Sequence, residues 1–182
     1  GARIYNIGKR TIKIFGVKKL NGHQHEVIGD RIEAFSYLCA AAITKGKIKI
    51  KKINPKHLTT ELKVLKKIGC NIKVDKSSIE LNRKNNLKTI NLKTAPFPGF
   101  ATDCMPMLMA VLTKAVGKSK IEETIFTNRY MAAPELVRMG AKINIKKSIA
   151  FIIGQSNLNG ADCISSDLRS TFAIILGAMA AN

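Results

Sequence analysis

A single offset of 71 residues relates two long segments of this chain. The offset superposes turn glycines, a leucine and a Lys-Ser turn on their counterparts: Gly46 on Gly117, Leu65 on Leu136, Gly69 on Gly140 and Lys76-Ser77 on Lys147-Ser148. Chance matches would not keep one offset across two glycine turns and a hairpin, so the chain repeats a supersecondary unit. We expect the order βαβαββ in each copy.

The unit boundaries fall at about 11–86, 87–154 and 155–182. The third copy begins where Leu158-Asn159-Gly160 repeats Leu20-Asn21-Gly22, and it stops after its first helix. Hydrophobic periodicity and turn residues predict strands at 12–17, 27–28, 47–53, 71–74, 78–81, 89–93 and 120–125 and helices at 31–44, 59–68, 105–116 and 171–181. The chain would thus hold about two and a half units.

The helices of the repeat are unusually apolar. Segment 105–116 carries one charged residue, Lys114, and segment 171–181 carries none. A helix that is apolar on nearly all faces must be buried. The strand at 47–53 instead alternates Lys with Ile, which is typical of a strand with one solvated face. We therefore predict an inside-out α/β barrel, with the helices inside and the sheets outside.

The net charge of +19 raises the question of a nucleic-acid partner, because Lys and Arg neutralise phosphates. The lysines are spread along the chain, however, and aromatic residues make up only 5% of it. Base recognition usually depends on Arg and stacking aromatics. We expect no specific nucleic-acid binding. No apolar run approaches the roughly 18 residues of a membrane span, so we expect no membrane partner either.

The four cysteines are widely spaced and form no CxxC pair: Cys39, Cys70, Cys104 and Cys163. This spacing argues against a zinc site and against a disulfide scaffold. We expect most of them to act as small buried residues in a reducing, cytoplasmic setting, with no metal cofactor.

A Pro/Gly loop at 96–100 leads to Thr102-Asp103 and then to the apolar helix at 105–116. Thr102 suits the N-cap position, and a carboxylate in the first turn is favoured by the helix dipole. Two interpretations of Asp103 remain open on this pattern. The acid stabilises the helix start, or a stiff loop presents it as a catalytic base.

Three segments carry a resemblance to a known family: TAPFPGFATD at 94–103, ETIFTNRYMAAPELVRMGA at 123–141 and LNGADCISSDLRS at 158–170. They resemble the UDP-N-acetylglucosamine 1-carboxyvinyltransferases, enolpyruvyl transferases of peptidoglycan synthesis. The family implies two lobes, each of three βαβαββ units, and this chain resembles an incomplete second lobe. It implies transfer of enolpyruvyl from phosphoenolpyruvate to the 3′-hydroxyl of UDP-N-acetylglucosamine, with no cofactor.

The resemblance also implies site residues. Asp103 matches the aspartate that acts as the base for the sugar 3′-hydroxyl, and the Ile125 backbone matches a contact to the UDP-sugar. Arg129, Asp167 and Arg169 match residues that line or close the cleft, although simple ion pairs would explain them equally well. Asp30 and Arg31 open the equivalent helix of the first copy, where capping is the simpler role for Asp30.

Other family groups have no counterpart in these 182 residues: the cysteine of the other lobe, the Lys and Arg residues that grip phosphoenolpyruvate, and a late arginine. We therefore expect the chain alone not to turn over substrate. Two alternatives stay open. One is the shikimate-pathway enolpyruvyl transferase of the same fold. The other is a non-catalytic basic module that binds nucleic acid or an anionic surface.

Overall fold

The computed structural model describes residues 1–182 and contains eleven strands and five α-helices. The strands are β1 (Arg3–Tyr5), β2 (Lys13–Phe15), β3 (Lys47–Lys51), β4 (Asn71–Val74), β5 (Ser78–Asn82), β6 (Leu87–Lys88), β7 (Asn91–Lys93), β8 (Ala115–Val116), β9 (Lys118–Glu122), β10 (Lys142–Lys146) and β11 (Ile149–Ile153). The helices are α1 (Arg31–Ile43), α2 (Thr59–Lys67), α3 (Met105–Leu112), α4 (Ala132–Arg138) and α5 (Leu168–Met179).

The strands form four separate sheets. Strands β3, β5 and β4 make an antiparallel sheet in that order, and β10, β11, β9 and β7 make a second sheet in which β7 runs parallel to β9. Strands β6 and β8 pair in parallel, and β1 pairs with β2. None of these sheets closes on itself, so the mixed α/β class is confirmed while the barrel remains a prediction.

Helix α3 is the centre of the core. All eight of its residues are buried, and it contacts α1, α4 and α5. In β3 the lysines are exposed while Ile48 and Ile50 are half-buried, as the alternation predicted. The expected burial of helices is right for α3 but incomplete for α5, where Leu168, Ile175 and Met179 are exposed.

Several predicted boundaries are wrong. Segment 27–28 forms no strand, and the strand expected at 12–17 covers only β2, which pairs with β1 apart from the three-stranded sheet. The helix expected to reach 116 ends at Leu112, because the next residues leave it to pair β8 with β6. The strand expected at 120–125 ends at Glu122, because the buried Glu123 side chain then accepts hydrogen bonds from the backbone that follows it.

Candidate active site

Asp103 lies in a short 3-10 turn, Thr102–Cys104, directly before α3. Its carboxylate is about one-third exposed and contacts two guanidinium groups. Nη2 of Arg129 lies 3.0 Å from Oδ1, and Nη2 of Arg169 lies 3.1 Å from Oδ2. The tertiary structure thus brings together three of the predicted site residues, with Arg129 and Arg169 on either side of the Asp103 carboxylate.

A comparison with the other helix starts shows that Asp103 is not a cap. Asp30 caps α1, accepting the amide N–H of Ile32 and of Glu33, and Asp167 caps α5 through the amide N–H of Arg169 and of Ser170. Helix α3 and the turn before it receive no side-chain cap. Asp30 therefore caps its helix as expected, whereas Asp103 makes no capping hydrogen bond and lies in the first turn only as a nearby negative charge.

Thr102 does not cap the helix either. Its hydroxyl donates to Oε2 of Glu123 at 2.9 Å and accepts the Nε–H of Arg129 at 3.2 Å. The expected N-cap role fails because a buried carboxylate from the neighbouring strand end takes the hydroxyl proton. Thr102 instead links Glu123 to the arginine that contacts Asp103.

A second buried acid, Glu61 of α2, holds the other side of this turn. It is 2% exposed, and its Oε1 accepts the amide N–H of Ala101 at 3.1 Å. Arg31 lies 3.9 Å from the same oxygen, and its guanidinium lies 5.6 Å from the centre of the Phe97 ring. The Pro/Gly loop is therefore fixed by charged side chains as well as by its prolines.

Asp103 and Ile125 line the same cavity of about 130 Å³, together with Arg31 and the loop around Phe97. Ile125 also borders a neighbouring cavity of about 260 Å³ formed by segment 123–127 and by Lys147 and Ser148. Ile125 is 45% exposed. Both residues predicted to touch the UDP-sugar therefore face one continuous part of the surface.

Asp167 lies half-buried at the start of α5, and its carboxylate is committed to the helix cap. Burial alone would raise its pKa, but hydrogen bonds from the Ser170 hydroxyl and from the backbone of Ser170 and Arg169, with the charge of Arg129, outweigh it. The pKa of Asp167 is therefore lowered. By anchoring the first turn of α5, Asp167 positions Arg169 against Asp103.

A sequence profile of the family described as EPSP synthase (3-phosphoshikimate 1-carboxyvinyltransferase) matches residues 1–182. The chain belongs to the EPSP synthase family. The predicted resemblance to enolpyruvyl transferases is confirmed at this level.

Individual relatives of this chain have a more specific name than the family. Proteins from Kosmotoga olearia and Pelagibacter ubique, both named UDP-N-acetylglucosamine 1-carboxyvinyltransferase, are 43% and 44% identical to it over 181 residues. Each match covers 100% of this chain and 43% of the relative. The chain therefore spans less than half the length of these curated relatives.

Solved structures agree on the fold. The enolpyruvyl transferase NikO from Streptomyces tendae superposes on 100% of this chain and on 44% of its own chain, with a TM-score of 0.83 and 24% identity. EPSP synthase from Acinetobacter baumannii gives a TM-score of 0.63 at 16% identity, covering 86% of this chain and 38% of that one. At these identities the likeness shows the fold alone.

Two acids near Asp103 were not predicted from the sequence, Glu61 of α2 and Glu123 after β9. Acidic side chains are mostly exposed, yet both of these are almost fully buried. Glu123 directly follows β9 and precedes a turn. Nothing local in the sequence distinguishes it from its half-buried neighbour Glu122.

Other parts of the chain have fewer groups that could bind a ligand or take part in a reaction. A cavity of about 440 Å³ lies on the outer face of β10 and β11 among Lys118, Lys142, Lys146 and Phe151, away from the predicted site residues. Cys39, Cys70 and Cys104 are buried, and all four cysteines are free. No cluster of three potential metal ligands is present, and no helix has the length and apolar character needed to cross a bilayer.

Proposed function

We propose that this chain forms one side of the active site of an enolpyruvyl transferase that acts on phosphoenolpyruvate and UDP-N-acetylglucosamine in peptidoglycan synthesis. The observation that carries the proposal is the Asp103 carboxylate. It is the one helix-opening aspartate of the three copies that does not cap its helix, and it lines a cavity together with Ile125. The names of the relatives supply the substrate class.

In this proposal the oxygen of the sugar 3′-hydroxyl forms a bond to C2 of phosphoenolpyruvate, and Asp103 accepts the proton that this hydroxyl loses. C3 gains a proton from a residue of the other lobe, as the family implies. A proton then leaves C3 and phosphate leaves C2, and these two departures restore the double bond between C2 and C3. A carboxylate suits the base role when it lies about 3 Å from the hydroxyl. The Ile125 backbone would contact the UDP-sugar.

The two arginines would serve this chemistry as well. Each Asp103 oxygen contacts one guanidinium and keeps a second lone pair that can accept the hydroxyl proton. Each guanidinium also has further N–H donors. A phosphate is the kind of anion that attracts Arg, through paired N–H donors. We infer that the guanidinium groups of Arg129 and Arg169 turn from Asp103 towards substrate phosphate when the cleft fills, while Asp167 continues to hold the backbone N–H of Arg169.

The test uses a chimera in which this chain replaces the matching 181 residues of the Kosmotoga olearia relative. Phosphate release would be measured with both substrates. Asp103→Asn should lower kcat by about 10²- to 10⁴-fold, the usual contribution of a general base. The matched control is Asp30→Asn, the same change at a helix cap, where Asn caps equally well. A chimera with Asp103→Asn that remains fully active would refute the assignment. The isolated chain should release no phosphate.

The shikimate-type reaction is a second candidate, because the family profile carries that description. A ligand that binds the folded protein raises its unfolding temperature. UDP-N-acetylglucosamine should stabilise the chimera, and shikimate 3-phosphate should not. The reverse result would favour the second candidate.

The basic-module alternative has weaker support. Exposed lysines lie on the outer faces of both large sheets, including Lys47, Lys49 and Lys51 on one and Lys142 and Lys146 on the other. The arginines Arg129 and Arg169 instead contact Asp103. Charge spread in this way is typical of a solvated surface. Tight binding of random DNA that weakens steeply with added salt would favour the alternative.

A further inference from the structure

We infer that Glu123 is a positioning residue that couples the two walls of the site, fixing the turn that bears Asp103 and the corner that bears Ile125 through one carboxylate. Its importance for catalysis rests on the proposed function above. The coupling itself is a property of the chain and can be tested without any substrate.

The contacts of Glu123 reach both walls. Its Oε1 accepts the amide N–H of Ile125 at 2.8 Å and of Phe126 at 3.1 Å, together with the Thr94 hydroxyl at 2.8 Å. Its Oε2 accepts the Thr102 hydroxyl at 2.9 Å. The first set defines the corner after β9, and the last bond reaches the residue next to Asp103.

The direction of these hydrogen bonds is determined by the other partners of the two hydroxyls. Thr94 Oγ1 already accepts the amide N–H of Thr124 at 2.9 Å, and Thr102 Oγ1 accepts the Nε–H of Arg129 at 3.2 Å. Each hydroxyl therefore directs its own proton at Glu123. The carboxylate, which can only accept, is thus surrounded by four donors, three on Oε1 and one on Oε2.

The side chain is 4% exposed and lies within salt-bridge distance of no cation. A carboxylate buried without a cation is costly, and apolar replacements of buried charges are often no less stable. A gain in global stability therefore does not explain why a glutamate lies at this position. Its effect on geometry does, because four charge-assisted hydrogen bonds orient the groups that donate them.

The chain offers a matched control one residue away. Glu122 side chain is 32% exposed and pairs with Lys93 at 3.1 Å on the surface. Glu123→Gln keeps the shape of the side chain but replaces one acceptor oxygen by an NH₂ donor. On the Oε1 side the NH₂ group would face the amide N–H groups of Ile125 and Phe126, which only donate. On the Oε2 side it would face the Thr102 hydroxyl, which would have to turn its proton away and accept. In either orientation the charge-assisted hydrogen bonds are lost. Glu122→Gln makes the same change where water can compensate.

The first measurement is hydrogen exchange by NMR on the ligand-free chain. In Glu123→Gln we expect the Arg129 Nε–H and the Ile125 amide to exchange at least tenfold faster, with α3 amides unchanged. Glu122→Gln should change neither. Thr102→Val, which cuts the link from the other end, should accelerate the Arg129 Nε–H alone, and Thr102→Ser should restore it. If Glu123→Gln does not fold, the Thr102 pair still tests the link.

Two results would overturn the inference. One is an Arg129 Nε–H that exchanges at the same rate in Glu123→Gln, Thr102→Val and the Glu122→Gln control. The other is a uniform acceleration that includes α3, which would make Glu123 a general stabilising residue.

The second measurement uses the chimera with the Kosmotoga olearia relative. There Glu123→Gln should raise the KM for UDP-N-acetylglucosamine and lower kcat, each by about tenfold, and Glu122→Gln should change both by less than twofold. An inactive parent chimera, or full activity in Asp103→Asn, would count against the proposed function. The exchange data would still decide the coupling, so the two failures are distinguishable.

Discussion

Truncation of either of two methionines on opposite faces of α3 should destabilise this protein by a similar amount. Met107 and Met109 are both 0% exposed. At 100° per residue their side chains point about 200° apart around the helix. An ordinary amphipathic helix would tolerate one of the two substitutions, because one of the faces would meet solvent. A helix buried on all sides tolerates neither.

The magnitude follows from the atoms removed. Met→Ala in a well-packed core costs about 2–5 kcal/mol, from lost burial and from the cavity left behind. For a chain of this size each kcal/mol lowers Tm by about 2–4 °C, so each variant should lose about 4–20 °C. Ser36 donates its hydroxyl to Met107 sulfur and also to Ile32 O, so it keeps a partner in Met107→Ala. The two variants therefore remain comparable.

Urea and thermal unfolding followed by circular dichroism would measure both variants against Met179→Ala. Met179 is 52% exposed near the end of α5, so the same truncation there should cost less than about 1 kcal/mol. A loss of stability in Met107→Ala or Met109→Ala no larger than that in Met179→Ala would refute this prediction. That result would place one face of α3 towards solvent.

Two further predictions concern the pH dependence of stability. Asp167→Ala removes the cap of α5 and should cost about 1 kcal/mol at neutral pH, whereas Asp167→Asn should cost less. Because the folded state lowers the pKa of Asp167, its contribution is complete above the usual aspartate pKa and is lost as the pH falls through the folded value. Unfolding curves should show the gap between wild type and Asp167→Ala closing in acid. Burial raises the pKa of Tyr130 to about 12, so its neutral hydroxyl stabilises the fold below the usual tyrosine pKa of about 10 and this contribution is lost as the pH rises towards 12. Tyr130→Phe should cost about 1 kcal/mol near neutrality, because the hydroxyl no longer donates to the carbonyls of Ile121 and Ser148, and less at pH 11. A gap that stays constant with pH would contradict either prediction.

Local pattern predicted the elements whose character is written in adjacent residues. The hairpin of β4 and β5 follows from two short strands around a polar turn, and the two strands pair as expected. The burial of α3 follows from its unbroken apolar run. The last helix was also predicted from its apolar run, although α5 begins at Leu168 after the Asp167 cap, three residues before the predicted start. Each of these predictions depends on the pattern of adjacent residues.

The sequence by itself determined the burial of α3 and, through resemblance, the family, and it predicted the repeat and Asp103 as a site residue. Only the tertiary structure decided what Asp103 contacts. Its partner Arg169 lies 66 residues away in sequence, and Glu123 reaches Thr102 across 21 residues. Glu122 and Glu123 are adjacent and chemically identical, yet one lies on the surface and the other is buried. Strand pairing and helix packing bring distant donors to one carboxylate, and the spacing of these residues along the chain does not predict those contacts.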